Sequence, residues 1–245
     1  MILPYDQGLE HGPVDFFPNP ASKDPDYVMK LAKEGGYSAV AVHIGLAKKY
    51  MRDYAGEVPL VLKINGKTTI PSDAQAFSPL TGSVEEAVSL GADAVGYTLY
   101  TGSPAQDRDM DQLTKVRLEC DRFGMPLIVW SYPRGEAIDK KGGRDALYAV
   151  DYAARVANEL GADIVKVNLP KKVKPEKMPD YEKLCSKDED YKQYLALESA
   201  SDEERVHRVV ESAGKTMVLI SGGEKMPDAD LVKKLDTVMK AGVTG

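Results

Sequence analysis

The sequence predicts an α/β chain of the (β/α)8 barrel class, and three observations carry that expectation. Short apolar runs rich in Val, Ile and Leu recur along the chain, and amphipathic helical segments separate most of them. The junctions also repeat: "SLGADAVGY", "NELGADIVKV" and "MKAGVTG" each take a helix end through a glycine directly into a strand. Continuous apolar runs, rather than strict alternation, suit parallel strands covered on both faces. Eight such strands alternating with helices make a barrel. A doubly wound open sheet is the alternative, but no GxGxxG fingerprint follows the first strand.

The elements follow in order. "MILPYD" opens the chain as the first strand, and "YSAVAVHIG" (37–45), "VPLVLKIN" (58–65) and "ADAVGYTLY" (92–100) supply the next three. "MPLIVWSY" (125–132), "ADIVKVNLP" (162–170) and "TMVLISGG" (216–223) bring the count to seven, and an eighth begins at "GVTG" (242–245). Helix starts are marked by Asp24 as N-cap with Pro25 in the first helical position, and by capping boxes at Ser83 and Ser201. The glycines at 36, 91 and 161 sit where C-caps are expected. Residues 169–200 are long and charged where a short loop would do, and read as an insertion after strand six.

Length and composition narrow the function classes. A chain of 245 residues with 43% hydrophobic side chains can bury a full core, and a single barrel domain over 1–245 is expected. The net charge of −6, with no long basic run, argues against a nucleic-acid partner. No stretch reaches the ~18 apolar residues of a membrane span, and no signal-peptide pattern opens the chain. Cys120 and Cys185 lie far apart without metal spacing, which points to a reducing, cytoplasmic setting. The histidines are His11, His43 and His207, with no paired ligand spacing, so no metal is expected.

In a barrel the chemistry sits at the C-terminal ends of the strands. Ile164, Lys166 and Asn168 share one face of strand six, and Ile128, Trp130 and Tyr132 share one of strand five. A lysine inside a β-branched run must face solvent, meet a carboxylate, or lie in an apolar pocket that frees its amine as a nucleophile. Tyr132 can carry protons, and Trp130 can wall the site or simply fill the core. Arg134 can bind a phosphate through its planar donors or form a surface ion pair. Asp6 can orient an amine or a hydroxyl, or anchor the glycine-rich turn that follows it. His11 is unassigned, and Lys63 is the rival strand-end lysine, most simply a charge partner for acids of the site. Ser221, Gly222 and Gly223 end strand seven, where barrels collect phosphate on backbone N–H groups, although glycines also suit a tight turn.

Taken together, "DQGLEHGP", "IVWSYPRG", "ADIVKVN" and "LISGG" make the chain similar, over nearly its whole length, to the class I fructose-bisphosphate aldolases of archaeal type. The resemblance implies that Lys166 forms a Schiff base, that Tyr132 is the main proton carrier, and that Asp6 and Trp130 complete the site. It implies phosphate contacts from Arg134, Ser221 and Gly222, a sugar-phosphate substrate, no cofactor, and a homo-oligomer. It also implies a helix ahead of the first strand and a further strand after "AGVTG", so a barrel incomplete at both ends is expected. Two other readings stand beside it. One is a related Schiff-base or transaldolase-like enzyme acting on another sugar phosphate or an aromatic precursor, and the other is an inactive fragment or scaffold.

Overall fold

The computed structural model describes residues 1–223 and 226–245. The chain forms two compact units. The first comprises Met1–Asp73, Phe77–Thr98 and Arg108–Ile128, and the second Ala74–Ala76, Leu99–Asp107 and Val129–Gly245.

In the first unit, strands β1 (Ile2–Tyr5), β2 (Ala39–His43), β3 (Leu60–Lys63) and β4 (Ala94–Leu99, whose last residue belongs to the second unit) pair in chain order and in parallel. Each strand is shorter than its apolar run, because pairing stops where the backbone turns toward the next helix. Helices α1 (Gln7–Glu10), α2 (Pro25–Glu34), α3 (Ile44–Tyr50) and α4 (Val84–Ser89) follow the first three strands, and α5 (Gln106–Phe123) follows β4. The expected caps form. Asp24 accepts from the Asp26 N–H with Pro25 at the first helical position, and Ser83 makes a reciprocal capping box with Glu86. Gly36 and Gly91 take positive φ just past their helices, the conformation a residue with a Cβ resists. The core of this unit includes Val40, Val42 and Leu62 of the strands and Met29 and Ala32 of α2, all fully buried.

The second unit continues the pattern with β5 (Leu127–Ser131, whose first two residues belong to the first unit), α6 (Glu136–Asp139), α7 (Leu147–Glu159), β6 (Ile164–Val167), α8 (Met178–Cys185), α9 (Glu189–Ala196), α10 (Asp202–Ala213), β7 (Met217–Ile220) and α11 (Asp228–Lys240). Strands β6 and β7 are parallel, with Lys166 opposite Leu219 and Val167 opposite Ile220. Ser201 closes the second capping box with Glu204, and Gly161 has φ +91°. Thr244 donates its N–H to Val218 O and Gly245 accepts from the Ile220 N–H, so the chain's last residues run along β7 as the eighth strand expected at 242–245 requires.

The charged stretch 169–200 is built rather than loose. Its α8 and α9 bury Tyr181, Leu184 and Cys185 with Ala146, Tyr148 and Val173, and Tyr191, Tyr194 and Leu195 pack against that cluster. Tyr148 meets the ring of Tyr194 edge-on, with centroids 5.4 Å apart. The Tyr194 hydroxyl donates to the buried Asp151 at 2.5 Å, and Arg208 Nε donates to the same oxygen at 3.1 Å. Among the described residues, no helix is long and apolar enough to cross a membrane.

Candidate active site

Alternation along β6 sorts the second unit's candidates. Val165 and Val167 are fully buried, whereas Ile164, Lys166 and Asn168 on the other face are half-buried. The amine of Lys166 stands 5.6 Å from the centre of the Trp130 ring, and that indole is 2% exposed. Tyr132 lies two residues past Trp130 and therefore on the same side of its strand. Its own N–H donates to Leu99 O, which fixes its backbone at the strand end. The Arg134 guanidinium lies 5.5 Å from the Tyr132 ring and 5.8 Å from the Tyr100 ring. Lysine, indole, phenol and guanidinium thus come from the ends of β5 and β6 in one unit.

At the end of β7 the expected phosphate loop takes a more restricted form. The Ser221 N–H is already committed to Val167 O, at 2.8 Å. The hydroxyl of Ser221 and the amides of Gly222 and Gly223 are what this turn can offer an anion. Gly222 and Gly223 are exposed, and Gly223 has φ +77°. The Lys234 amine, missed by the sequence reading, donates to Gly222 O at 2.9 Å. Burial, with the charge of Lys171 added, lowers its pKa below the ordinary lysine value. A second pair was also missed: Asn168 Nδ2 donates to Asp145 Oδ1 at 2.8 Å. Neither is legible from spacing, since 12 residues separate Lys234 from Gly222 and 23 separate Asn168 from Asp145.

Asp6 belongs to the first unit and is part of a buried charge cluster there. Lys63 is completely buried and donates to Asp6 Oδ2 at 2.5 Å and to Glu10 Oε1. Burial alone would lower the Lys63 pKa, but the charges of Asp6 and Glu10 outweigh it and hold the ammonium above its ordinary value. Burial raises the Glu10 carboxyl, against the opposing pull of Lys63. His43, whose Nε2 is 4.0 Å from Glu10, is pushed down to about 4 by burial and by the Lys63 charge, so it is neutral at physiological pH. Lys63 is therefore the charge partner of acids that the sequence suggested. His11 pairs with Asp15 at 2.6 Å on the surface, which gives this histidine a local anchoring contact. Among the described residues, no group of three or more His, Cys, Asp or Glu side chains is arranged to hold a metal ion.

Comparison with known proteins gives the family of the chain. The model of the DeoC/LacD family aldolases matches residues 1–245. A class 1 fructose-bisphosphate aldolase from Thermoproteus tenax is 40% identical over 246 residues, covering 100% of this chain and 80% of that protein. One from Halobacterium salinarum is 34% identical over 245 residues, with the same coverage of 100% and 80%. Among solved structures, an archaeal fructose-1,6-bisphosphate aldolase with its catalytic lysine covalently bound to the carbinolamine intermediate superimposes with a TM-score of 0.81 at 38% identity, over 100% of this chain and 83% of the other. The α/β barrel class expected from the sequence is thus the fold of the chain.

Proposed function

The chain belongs to the DeoC/LacD aldolase family, and from that premise we propose that it is a class I aldolase cleaving fructose 1,6-bisphosphate to dihydroxyacetone phosphate and glyceraldehyde 3-phosphate, with Lys166 as the imine-forming residue. The observation that carries the assignment is the position of the Lys166 amine, on the half-buried face of β6 and 5.6 Å from the centre of the Trp130 ring.

The chemistry then follows from the residues. The neutral Lys166 amine adds to the C2 ketone, and loss of water leaves a protonated imine. The face of the Trp130 ring favours a cation at this position, so it stabilises the iminium more than the ketone that precedes it. Tyr132 takes the proton of the C4 hydroxyl as the C3–C4 bond breaks, and the bonding pair moves into the imine to give an enamine. Glyceraldehyde 3-phosphate leaves, a proton returns to C3, and water releases dihydroxyacetone phosphate from Lys166. Arg134 and the Ser221–Gly223 turn bind the phosphates.

This reading extends to the setting. The whole of 1–245 is one catalytic domain, and the protein works as a cytoplasmic homo-oligomer; buried Cys120 and Cys185, neither of them in a disulfide, suit a reducing compartment. A coupled assay for triose phosphate release from fructose 1,6-bisphosphate tests the function. Release that disappears in Lys166→Met and persists with a chelator present is expected. Full activity in Lys166→Met contradicts the proposal.

A further inference from the structure

We infer that Asn168 reads the substrate hydroxyl next to the imine carbon and that Asp145 is the positioning residue that turns the Asn168 amide toward it. The inference rests on the assignment of Lys166 above. Asn168 lies two residues beyond Lys166, on the same side of the strand and roughly 6.6 Å further along it. Val167 pairs with Ile220 and accepts from the Ser221 N–H, so Asn168 stands beside Ser221 at the next register position. The amide is thereby set between the lysine and the turn read as a phosphate site. A ketone bound at C2 to Lys166, with its C1 phosphate on that turn, brings the C3 hydroxyl to this same stretch of strand end.

The direction of the amide decides what it can recognise. An ionised carboxylate only accepts hydrogen bonds, so the Asn168 nitrogen must face Asp145, as the 2.8 Å contact has it. Asp145 is itself fixed: its backbone O accepts from the Lys171 N–H at 2.7 Å, Ala146 bridges Lys171, and the Lys171 amine stands 3.6 Å from Oδ2. The Asn168 carbonyl is then presented away from Asp145 as an acceptor. An acceptor selects a hydroxyl and disfavours a phosphate oxygen, which complements the donors of the neighbouring turn.

The test compares dihydroxyacetone phosphate with hydroxyacetone phosphate, the same ketone lacking the C3 hydroxyl. The readout is the ketone concentration giving half-maximal borohydride-trapped mass on the peptide containing Lys166. The parent chain is expected to prefer dihydroxyacetone phosphate. Asn168→Ala and Asn168→Ser should cut that preference about 3- to 10-fold, the scale of one hydrogen bond, by weakening only the hydroxylated ketone. Asp145→Asn, whose new amide can bond the Asn168 carbonyl and turn it round, should move the preference in the same direction. A preference unchanged in the folded Asn168 variants, or absent in the parent, overturns the inference while leaving Lys166 in place. Trapping at another residue, or none, overturns both.

Discussion

Replacing Lys63 by Met keeps the reach of the side chain and removes its charge, taking from Asp6 and Glu10 the ammonium that both of them pair with. Their side chains are only 13% and 15% exposed, so water cannot make up the loss. Breaking a buried ion pair by deleting one partner costs about 3–5 kcal/mol. For a chain of this size each kcal/mol lowers Tm by roughly 2–4 °C, so a fall of about 6–20 °C is expected at pH 8. The pH dependence has a definite sign. A carboxyl whose folded pKa lies above its unfolded value stabilises the fold at low pH and loses that contribution as pH rises through the folded pKa. Burial already raises Glu10 from 4.5 with Lys63 present, and removing the ammonium raises it further. The gap between parent and variant should therefore be widest at pH 8 and narrow toward pH 5. Circular dichroism melts at the two pH values measure it. A gap under about 2 °C at pH 8, or one that widens on acidification, would refute the account of the cluster.

The remaining predictions concern the site and the helices. Tyr132→Phe should leave the imine at Lys166 intact and slow cleavage by about 100-fold or more, the scale of losing a general acid or base, as read by trapping and steady-state assay side by side. Ser201→Ala removes the acceptor for the Glu204 N–H and should cost about 1 kcal/mol, measured by urea unfolding; no change would mean the capping box adds nothing here. Tyr194→Phe should lose roughly 0.5–1.5 kcal/mol with its hydrogen bond to buried Asp151, and proteolysis within 169–200 should quicken; unchanged cleavage would show that the stretch is held by packing alone.

Much of the framework was legible because local chemistry and tertiary structure agree. Asp24, Ser83 and Ser201 cap helices by rules that need only neighbouring residues, and the apolar runs contain strands β1 to β7. The face of β6 carrying Lys166 followed from alternation alone. Glu10 and His43 were not legible, because they reach Lys63 through pairings between strands remote in sequence. The two helices within 169–200 were masked by their charges, although Tyr181, Leu184 and Cys185, and likewise Tyr191, Tyr194 and Leu195, recur at the i, i+3, i+4 spacing of a helix face. The Ser221 amide was read as a phosphate donor, and only the ladder bond to Val167 shows that it is already used.

The central claim is that Lys166, and not Lys63, carries the substrate carbon. Borohydride reduction of the chain with dihydroxyacetone phosphate, followed by proteolysis and mass mapping, tests it directly. The expected result is one added ketone-derived mass on the peptide containing Lys166, retained in Lys63→Met under conditions where that variant is folded and lost in Lys166→Met. Labelling on the peptide containing Lys63, or cleavage of fructose 1,6-bisphosphate with no label on any lysine, would contradict the account.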